Sequence, residues 1–576
     1  MPDPETIFRR RWAILGVLCL SVFLAVVDNT IVNVALPSMS EQLHASTSQL
    51  QWIVDGYSLV FAMLLLVGGS LGDRYGRKGA LQVGIFAFAA FSALAGLSGS
   101  TSLLIVARCL MGVAAALVFP ATLAILTNTF TDPKERAAAI GAWTGVVGLA
   151  VALGPLTGGL LLKHFWWGSI FFVNLPIAVI ALVLGARLVP TSRDPAAPPL
   201  DLVGFVLSGV GIGALVYTTI EAPGRGWGAP MTVGGYAFGV AVLAAFALWE
   251  RRSSHPMLDV ALFTNIGFTA ASFSITVSFF GLFGFIFLIT QYFQLVRGYD
   301  TLAAGIHTLP FAIATGAVAP IATPIAHRIG TKIVVPAGLV VMSAGFLIAT
   351  TFKVDTAYFG PVILSMVLIA TGLGFVAAPS TDAILAVLPP AKAGVGSAVN
   401  DVTRELGGAF GVAVVGAAFS SVYGPSLVRL IRGIPIPASA LGAAKESTAA
   451  ALGVAHQMPA GARDAMVAAT RTSFIDGLGR GSLVCAGVTL AGAVFAFLVL
   501  PHRLPPRDGD QPEATVGSEA TVGSEATVVS GPVRTGEPVG VAEVDGNRTR
   551  RTGITRPTRF EGGGAHQVPK HLRRRQ

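Results

Sequence analysis

Long apolar runs separated by short polar connections fill this chain from about residue 12 to residue 500. A run of about 20 apolar residues is long enough for an α-helix to cross the hydrocarbon core of a bilayer. A window of that length predicts membrane spans at about 12–36, 51–71, 80–98, 103–126, 137–162, 169–189, 201–221, 231–249, 268–292, 303–325, 332–350, 358–378, 397–421 and 480–500. We therefore predict an all-α polytopic membrane protein with about fourteen transmembrane helices.

Composition supports this prediction. The chain has 576 residues, of which 53% are hydrophobic and only 12% are charged, and this balance excludes an ordinary soluble globular protein. The three cysteines, Cys19, Cys109 and Cys485, each lie in an apolar run without metal-ligand spacing. We therefore predict neither a metal site nor redox chemistry.

Basic residues indicate how the chain is oriented. They recur in every second connection: Arg74, Arg77, Lys78, Lys134, Arg136, Arg187, Arg193, Arg251, Arg252, Arg328, Lys332 and Lys392. Because short cytoplasmic loops are enriched in Lys and Arg, we predict a cell-membrane protein with residues 1–11 and the C-terminus both in the cytoplasm. The segment 422–479 is predicted to be a long outer loop, whose length makes its own basic residues uninformative.

The segment 501–576 differs from the rest of the chain. It is rich in Pro and Gly and repeats Glu-Ala-Thr-Val at 513–516, 519–522 and 525–528, so we predict a disordered cytoplasmic tail. Residues 547–576 contain nine Lys or Arg and one Glu, and 9 − 1 = 8 of the net charge of +9 therefore lies there. No nucleic-acid partner is predicted. The basic end either contacts anionic membrane lipids or is an extension without a function.

Asp28 is the first candidate site residue, because it places a carboxylate inside an apolar span at a cost of about 2.5–3.5 kcal/mol. It lies about 12 Å from the outer end of its span, while Arg108 and Asp55, the other candidate proton-coupling residues, lie at a depth of about 8 Å. An Asp28 that meets Arg108 in one conformation and loses it in another would bind and release a proton during transport. Each of the three residues also has a structural alternative. Asp28 could simply be hydrogen-bonded to a neighbouring helix, Arg108 could form a purely structural salt bridge, and Asp55 could lie near the membrane interface, where a charge costs little.

A second polar group lies in the thirteenth span, which contains Asn400, Asp401, Arg404 and Glu405. Glu405 is a candidate second proton or cation site, and pairing near Arg404 is the alternative. Aromatic residues could line a hydrophobic substrate cavity, although most aromatic residues in such spans face lipid or the core. The candidates are Trp52, Tyr57, Phe280, Phe283 and Tyr292.

The connection between the second and third spans has the sequence GSLGDRYGRK from Gly69 to Lys78. It resembles the G-x-L-x-D-R-x-G-R-K loop of the major facilitator superfamily. Glycines permit a tight turn there, and an acid among cations can form a charge latch that closes and opens as two halves rock. The predicted latch residues are Gly69, Asp73, Arg74, Gly76, Arg77 and Lys78.

Further stretches resemble the fourteen-helix drug:proton antiporters of the QacA/EmrB type. They are residues 28–37, residues 51–59, Arg108 with Gly112, residues 171–176, and residues 154–159, whose Gly154, Pro155, Gly158 and Gly159 resemble an antiporter motif. Trp167 stands where that family usually has Arg. The resemblance implies six-helix bundles at 12–189 and 268–500, with two inserted helices within 201–249.

The same resemblance implies a proton-coupled antiporter that exports lipophilic, cationic or neutral drugs. It uses the proton motive force, no cofactor and no obligatory oligomer, and its partners are a small lipophilic substrate, protons and membrane lipids. An exporter of one endogenous metabolite, lipid, siderophore or antibiotic is the alternative on this fold. An integral membrane enzyme is more remote, because the nine histidines are scattered.

Overall fold

The computed structural model of the chain describes residues 4–193, 201–256, 258, 260–386, 393–434 and 436–501. The prediction for Lys392 and that for the tail after residue 501 lie outside these residues. The helices are α1 (Pro4–Gln42), α2 (Thr47–Tyr75), α3 (Arg77–Gly96), α4 (Thr101–Thr129), α5 (Pro133–His164), α6 (Ser169–Phe172), α7 (Asn174–Leu188), α8 (Leu202–Arg225), α9 (Pro230–Glu250), α10 (Ile266–Gln291), α11 (Thr301–Ile329), α12 (Thr331–Ala349), α13 (Ile363–Ala386), α14 (Ala393–Leu430), α15 (Ala438–Glu446), α16 (Thr448–His456) and α17 (Ala460–Val499).

The predicted all-α membrane fold is confirmed. Within the described ranges, thirteen helical segments are long and apolar enough to cross a membrane, with α6 and α7 together forming one of them. Helix α2 bends by 51° between its parts Thr47–Leu65 and Val67–Tyr75, and it makes the fourteenth span when these are counted as one. The chain is therefore a multi-pass membrane protein.

The helices pack into two bundles. In the first, α2 packs against α4, α1 against α5, and α3 against α4 and α7. In the second, α10 packs against α14, and α12 against α13 and α17. Helices α8 and α9 lie between the two bundles in sequence and pack on each other, and α8 also contacts α2 and α14.

Small residues allow these helices to approach closely. A Cβ added to Gly112 of α4 would meet the backbone of Tyr57 and Phe61 in α2, with Phe61 N at 3.2 Å. In the second bundle, a Cβ at Gly411 of α14 would meet the backbone of Phe280 in α10. Glycine is therefore required by the close approach at both crossings.

Several contacts join the two bundles, and they lie in the half of the membrane away from the N-terminus, here called the opposite face. They are Ser40 to Ser447 at 2.8 Å, Thr47 to the Glu446 carbonyl at 2.7 Å, Gln294 to the Val34 carbonyl at 2.9 Å, Thr301 to the Gly159 carbonyl at 3.0 Å, and the ion pair Lys163–Asp300 at 3.5 Å. In this conformation the bundles are therefore held together at the opposite face.

The long connection predicted at 422–479 is largely helical. Helix α14 continues to Leu430, α15 and α16 follow, and α17 begins at Ala460 instead of about residue 480. The prediction ended the thirteenth span too early and began the fourteenth too late, because a hydropathy window detects only the apolar part of a helix. Outside the bilayer a helix can continue with polar residues facing water.

Candidate functional site

Asp28 and Arg108 form an ion pair inside the first bundle. Nη1 of Arg108 on α4 donates a hydrogen bond to Oδ2 of Asp28 on α1, and both side chains are fully buried. The two helices run in opposite directions, so residues far apart in the sequence reach the same depth. The structure thus brings together the two charges that depth had matched.

Asn174 is a third member of this group, and its role was not predicted from the sequence. Its side-chain nitrogen on α7 lies 2.7 Å from Oδ1 of Asp28 and 3.0 Å from the hydroxyl of Ser92 on α3. The Ser92 hydroxyl in turn donates to the Phe171 carbonyl at 2.8 Å. Asp28 is thus held by donors from two helices, one for each oxygen. An Asn inside an apolar span was the available signal, since uncharged polar groups there also need partners.

Arg108 has further contacts that fix its position. Its Nε donates to the Ile53 carbonyl of α2 at 3.0 Å, and its guanidinium carbon lies 4.4 Å from the centre of the Tyr57 ring. The Tyr57 hydroxyl donates to the Ala25 carbonyl at 3.2 Å. Arg108 therefore keeps a hydrogen bond and a cation–π contact when its bond to Asp28 is removed. Arg108 is therefore anchored independently of the charge on Asp28.

Asp55 does not join this ion pair. It is fully buried on α2, and neither of its carboxylate oxygens has a hydrogen-bond partner among the described residues. Gln51, one turn away, donates to the Val412 carbonyl of α14 at 3.1 Å. Because Asp55 shares the helix face of Gln51, it lies where α2 of the first bundle meets α14 of the second.

The polar residues of α14 form a second group. Arg404 donates to Thr381 on α13 at 3.3 Å, and the Thr381 hydroxyl donates to Asn400 at 2.9 Å. The half-buried Glu405 interacts with Asp401 and Arg404 on its own helix and with the Ser58 side chain of α2. Glu405 therefore contacts both bundles, while Asp28 is enclosed in one.

The loop with the predicted latch joins α2 to α3. Nε of Arg77 lies 2.7 Å from Oδ1 of Asp73, and Nζ of Lys78 donates to the Ala186 carbonyl in the last turn of α7 at 2.8 Å. Gly76 has φ +119°, a conformation that side chains rarely adopt. Arg74 is exposed, and Gly69 packs against Pro120 of α4. In this conformation the acid of the loop is paired within the loop itself.

The glycines at 154–159 form close crossings on α5. A Cβ at Gly154 would meet Thr30 of α1, and one at Gly158 would meet Ile31. On another side of α5, a Cβ at Gly159 would meet the Thr301 carbonyl of α11. The backbone of Pro155 faces Gly305 of α11 in the same way. Helix α5 therefore packs closely against α1 within the first bundle and against α11 of the second bundle.

The aromatic residues predicted to line a substrate cavity do not form one surface. Tyr57 lies under Arg108, and the buried Tyr292 donates to the Lys353 carbonyl at 3.3 Å. Phe280 is buried, and Trp52 packs against Tyr217 of α8 with ring centres 6.1 Å apart. Only Phe283, which is half-buried beside Gly408, borders the α14 group. The buried rings of Tyr57, Phe280 and Tyr292 therefore do not line a cavity in this conformation, contrary to the prediction. The pattern of apolar residues along a helix does not distinguish residues of the core from residues that line a cavity.

The sequence of the chain is similar to that of a known family over most of its length. The family profile described as Major Facilitator Superfamily matches residues 18–412. The chain is 38% identical over 488 residues to "Multidrug efflux pump LfrA" of Mycolicibacterium smegmatis, a match that covers 84% of this chain and 95% of that protein. It is 33% identical over 518 residues to "Tetracenomycin C resistance and export protein" of Streptomyces glaucescens, covering 88% and 96%.

A solved structure has the same architecture. It is a bacterial homologue of the human lysosomal transporter Spinster in an inward-facing, unoccupied conformation, with a TM-score of 0.60 and 16% identity. The match covers 85% of this chain and 96% of that structure. At this identity the likeness concerns the fold alone.

Proposed function

Because the chain belongs to the major facilitator superfamily, we propose that it is a proton-coupled exporter of lipophilic, cationic or neutral compounds. The observation that carries the proposal is the buried Asp28–Arg108 ion pair in the first bundle. A buried ionisable group in a membrane protein is costly and is typical of a proton or substrate pathway. Relatives named as a multidrug efflux pump and as a resistance and export protein support the direction of transport.

Basic residues support a cytoplasmic position for the N-terminal face, the membrane face on which α1 begins. The described connections on that face contain Arg74, Arg77, Lys78, Arg136, Arg187, Arg193, Arg251, Arg252, Arg328 and Lys332. Such residues concentrate on the cytoplasmic side of membrane proteins. The conformation described above is then closed to the outside.

Asp28 is proposed to be the proton-binding group. With the carboxylate ionised, Arg108 and Asn174 occupy its two oxygens. A proton on Asp28 neutralises the charge that holds Arg108, so that the contacts among α1, α4 and α7 weaken. A ligand, here the proton, shifts the populations of two conformations only when it binds one of them more tightly than the other. Proton binding and release would thereby favour alternate conformations of the bundle.

The proposed cargo site is the region around Glu405, between the bundles. Glu405 is half-buried on α14 and contacts Ser58 of α2, so it lies where the two bundles meet. Phe283 and Phe279 stand near it, on α10. A carboxylate beside aromatic rings suits an organic cation through charge attraction and cation–π contact.

A reconstituted transport assay tests the proposal. The purified chain in proteoliposomes with an imposed proton gradient should move a lipophilic cationic dye, and Asp28→Asn should abolish the movement. Asp300→Asn is the matched control, because it removes a carboxylate at the opposite face while Asn still caps a helix. Gradient-driven transport by the Asp28→Asn variant would contradict the proton role of Asp28.

A single compound as cargo is the second candidate, since one relative is named for the export of one compound. Cationic, neutral and anionic analogues of one dye distinguish the two candidates. A broad-range exporter should transport the cationic and neutral analogues. Transport of none of them by a protein that elutes as a folded species would favour a dedicated cargo.

A further inference from the structure

A small basic cavity lies at the N-terminal face of the first bundle, away from the Asp28 and Glu405 groups. It has a volume of about 100 Å³ and lies among the start of α1, the start of α3, the end of α7 and the segment that follows α7. Among the residues that the structure describes, three cations and no acid line it, and its walls are Ile7, Arg10, Lys78, Arg187 and residues 188–191. We propose that this cavity binds the phosphate headgroup of an anionic membrane phospholipid.

The cations of this cavity differ from their neighbours in the sequence. Arg9 pairs with Glu5, Arg11 with Glu135 and Arg77 with Asp73. Within the described parts of the chain, Arg10, Lys78 and Arg187 have no acidic partner. Three cations that converge without an acid repel one another, and this repulsion is relieved by a bound anion.

Local backbone groups add to the positive character of the cavity. Helix α3 begins at Arg77, and no side chain caps its N-terminal amides. The positive end of the α3 dipole therefore adds to the charge of Lys78 at the same place. A phosphate oxygen is an acceptor that suits both the cations and the positive end of a helix.

Apolar surface beside the cavity favours a lipid over a free phosphate ion. Along α7, Arg187 is followed toward the membrane interior by Leu184, Val183 and Ile180, at spacings that place them on the same helix face. These three side chains are exposed in the structure. A phospholipid can place its headgroup at Arg187 and an acyl chain along this stripe. Basic pockets between helices at a membrane face bind anionic headgroups in this way.

The cavity is also connected to the latch loop. Lys78 belongs to that loop and donates to the Ala186 carbonyl of α7, and the backbone amide of Arg77 donates to the Ser192 carbonyl at 2.9 Å. A lipid held by Arg10 and Arg187 therefore touches a segment that is expected to move during transport. Occupancy of the cavity should consequently change the rate of transport.

Two variants test the proposal without altering the latch. Arg10→Gln with Arg187→Gln removes two cations of the cavity and leaves Lys78 in place. Arg251→Gln with Arg252→Gln is the matched control, because it removes the same charge from exposed residues at the same face that do not line the cavity. Native mass spectrometry of the purified proteins with phosphatidylglycerol or phosphatidylcholine measures lipid retention independently of any cargo.

We expect the unaltered chain and the control variant to retain phosphatidylglycerol in preference to phosphatidylcholine. The cavity variant should bind phosphatidylglycerol roughly 10- to 30-fold more weakly, since each cation near the membrane surface contributes to attraction of an anionic lipid. In proteoliposomes, the rate of dye transport by the unaltered chain should depend on phosphatidylglycerol, and that of the cavity variant should not.

Three results would overturn the proposal. One is equal retention of the two lipids by the unaltered chain, and another is an equal loss of phosphatidylglycerol in the cavity and control variants. The third is displacement of phosphatidylglycerol by inorganic phosphate at comparable concentration, which would make the cavity a site for soluble phosphate. Size-exclusion profiles of both variants verify that they are folded.

Discussion

The side-chain amide of Asn174 lies 2.7 Å from one oxygen of Asp28, while Arg108 binds the other oxygen. An ionised carboxylate buried in a membrane protein is stable only when such donors replace water. Asn174 therefore determines, together with Arg108, how readily Asp28 stays ionised. The amide does not titrate, so it can hold the carboxylate without exchanging protons itself.

Asn174→Ala should slow proton-driven transport by about tenfold, because a hydrogen bond to a charged group contributes roughly 1.5–3 kcal/mol. Ser92→Ala is the matched control, since it removes a neighbour of Asn174 but leaves the bond to Asp28. Initial rates of dye transport in proteoliposomes measure the effect. Equal rates for the two variants would show that the Asn174–Asp28 bond has no role in transport.

The ion pair itself predicts an asymmetry between single and double variants. Arg108→Ala leaves a buried carboxylate without its cation and should destabilise the protein by about 3–5 kcal/mol. Combining it with Asp28→Ala removes the unpaired charge, so much of the stability should return while proton-coupled transport stays absent. Thermal unfolding in detergent and dye transport separate the two effects. A double variant no more stable than Arg108→Ala would contradict this account.

The closed opposite face gives a packing prediction. Gly159→Ala places a methyl group against the Thr301 carbonyl, so the conformation with α5 packed on α11 should become unfavourable and transport should fall at least tenfold. Gly145→Ala is the matched control on the same helix, because nothing lies within 4 Å of the added carbon. Distances between spin labels on α5 and α11 should lengthen in the Gly159 variant alone.

Much of this architecture could be predicted from the sequence. Apolar runs indicate membrane spans because their burial in lipid depends on composition, and the meeting of Asp28 with Arg108 followed from their similar depths. The end of α14 and the start of α17 could not be predicted, since a helix outside the bilayer has no apolar signature. The bond of Asn174 to Asp28 depends on how α7 is rotated against α1, which depth does not determine.

The position of an aromatic residue along a helix also did not show whether the residue lies in the packed core or lines a cavity. Tyr57 and Tyr292 have the composition of cavity residues, but both are buried in packed regions with their hydroxyls bonded to backbone carbonyls. Asp55 and Asp28 are both buried carboxylates within apolar spans, yet only Asp28 meets a cation. Such differences arise from which helices are neighbours, and the sequence of one helix does not contain that information.

The pair Lys163–Asp300 at the opposite face provides a pH prediction. Asp300 caps α11 by accepting a hydrogen bond from the Ala303 amide at 2.6 Å, and this bond, with Lys163 in addition, lowers the pKa of the Asp300 carboxyl. A lowered pKa means that the interaction is complete above the ordinary carboxyl value and is lost only as pH falls through the lowered one. Asp300 therefore stays ionised from about pH 5 to 8, and it cannot supply transported protons in that range.

Asp300→Asn should consequently leave the shape of the pH profile of transport unchanged and alter the rate by no more than about twofold, since exposed ion pairs contribute little. Asn preserves the cap of α11, which separates the loss of charge from the loss of the helix terminus. Dye transport measured at a constant proton gradient over this pH range provides the comparison. A displaced midpoint in the Asp300→Asn variant would mean that the carboxylate at the opposite face takes part in proton movement, and the assignment of that role to Asp28 alone would then be wrong.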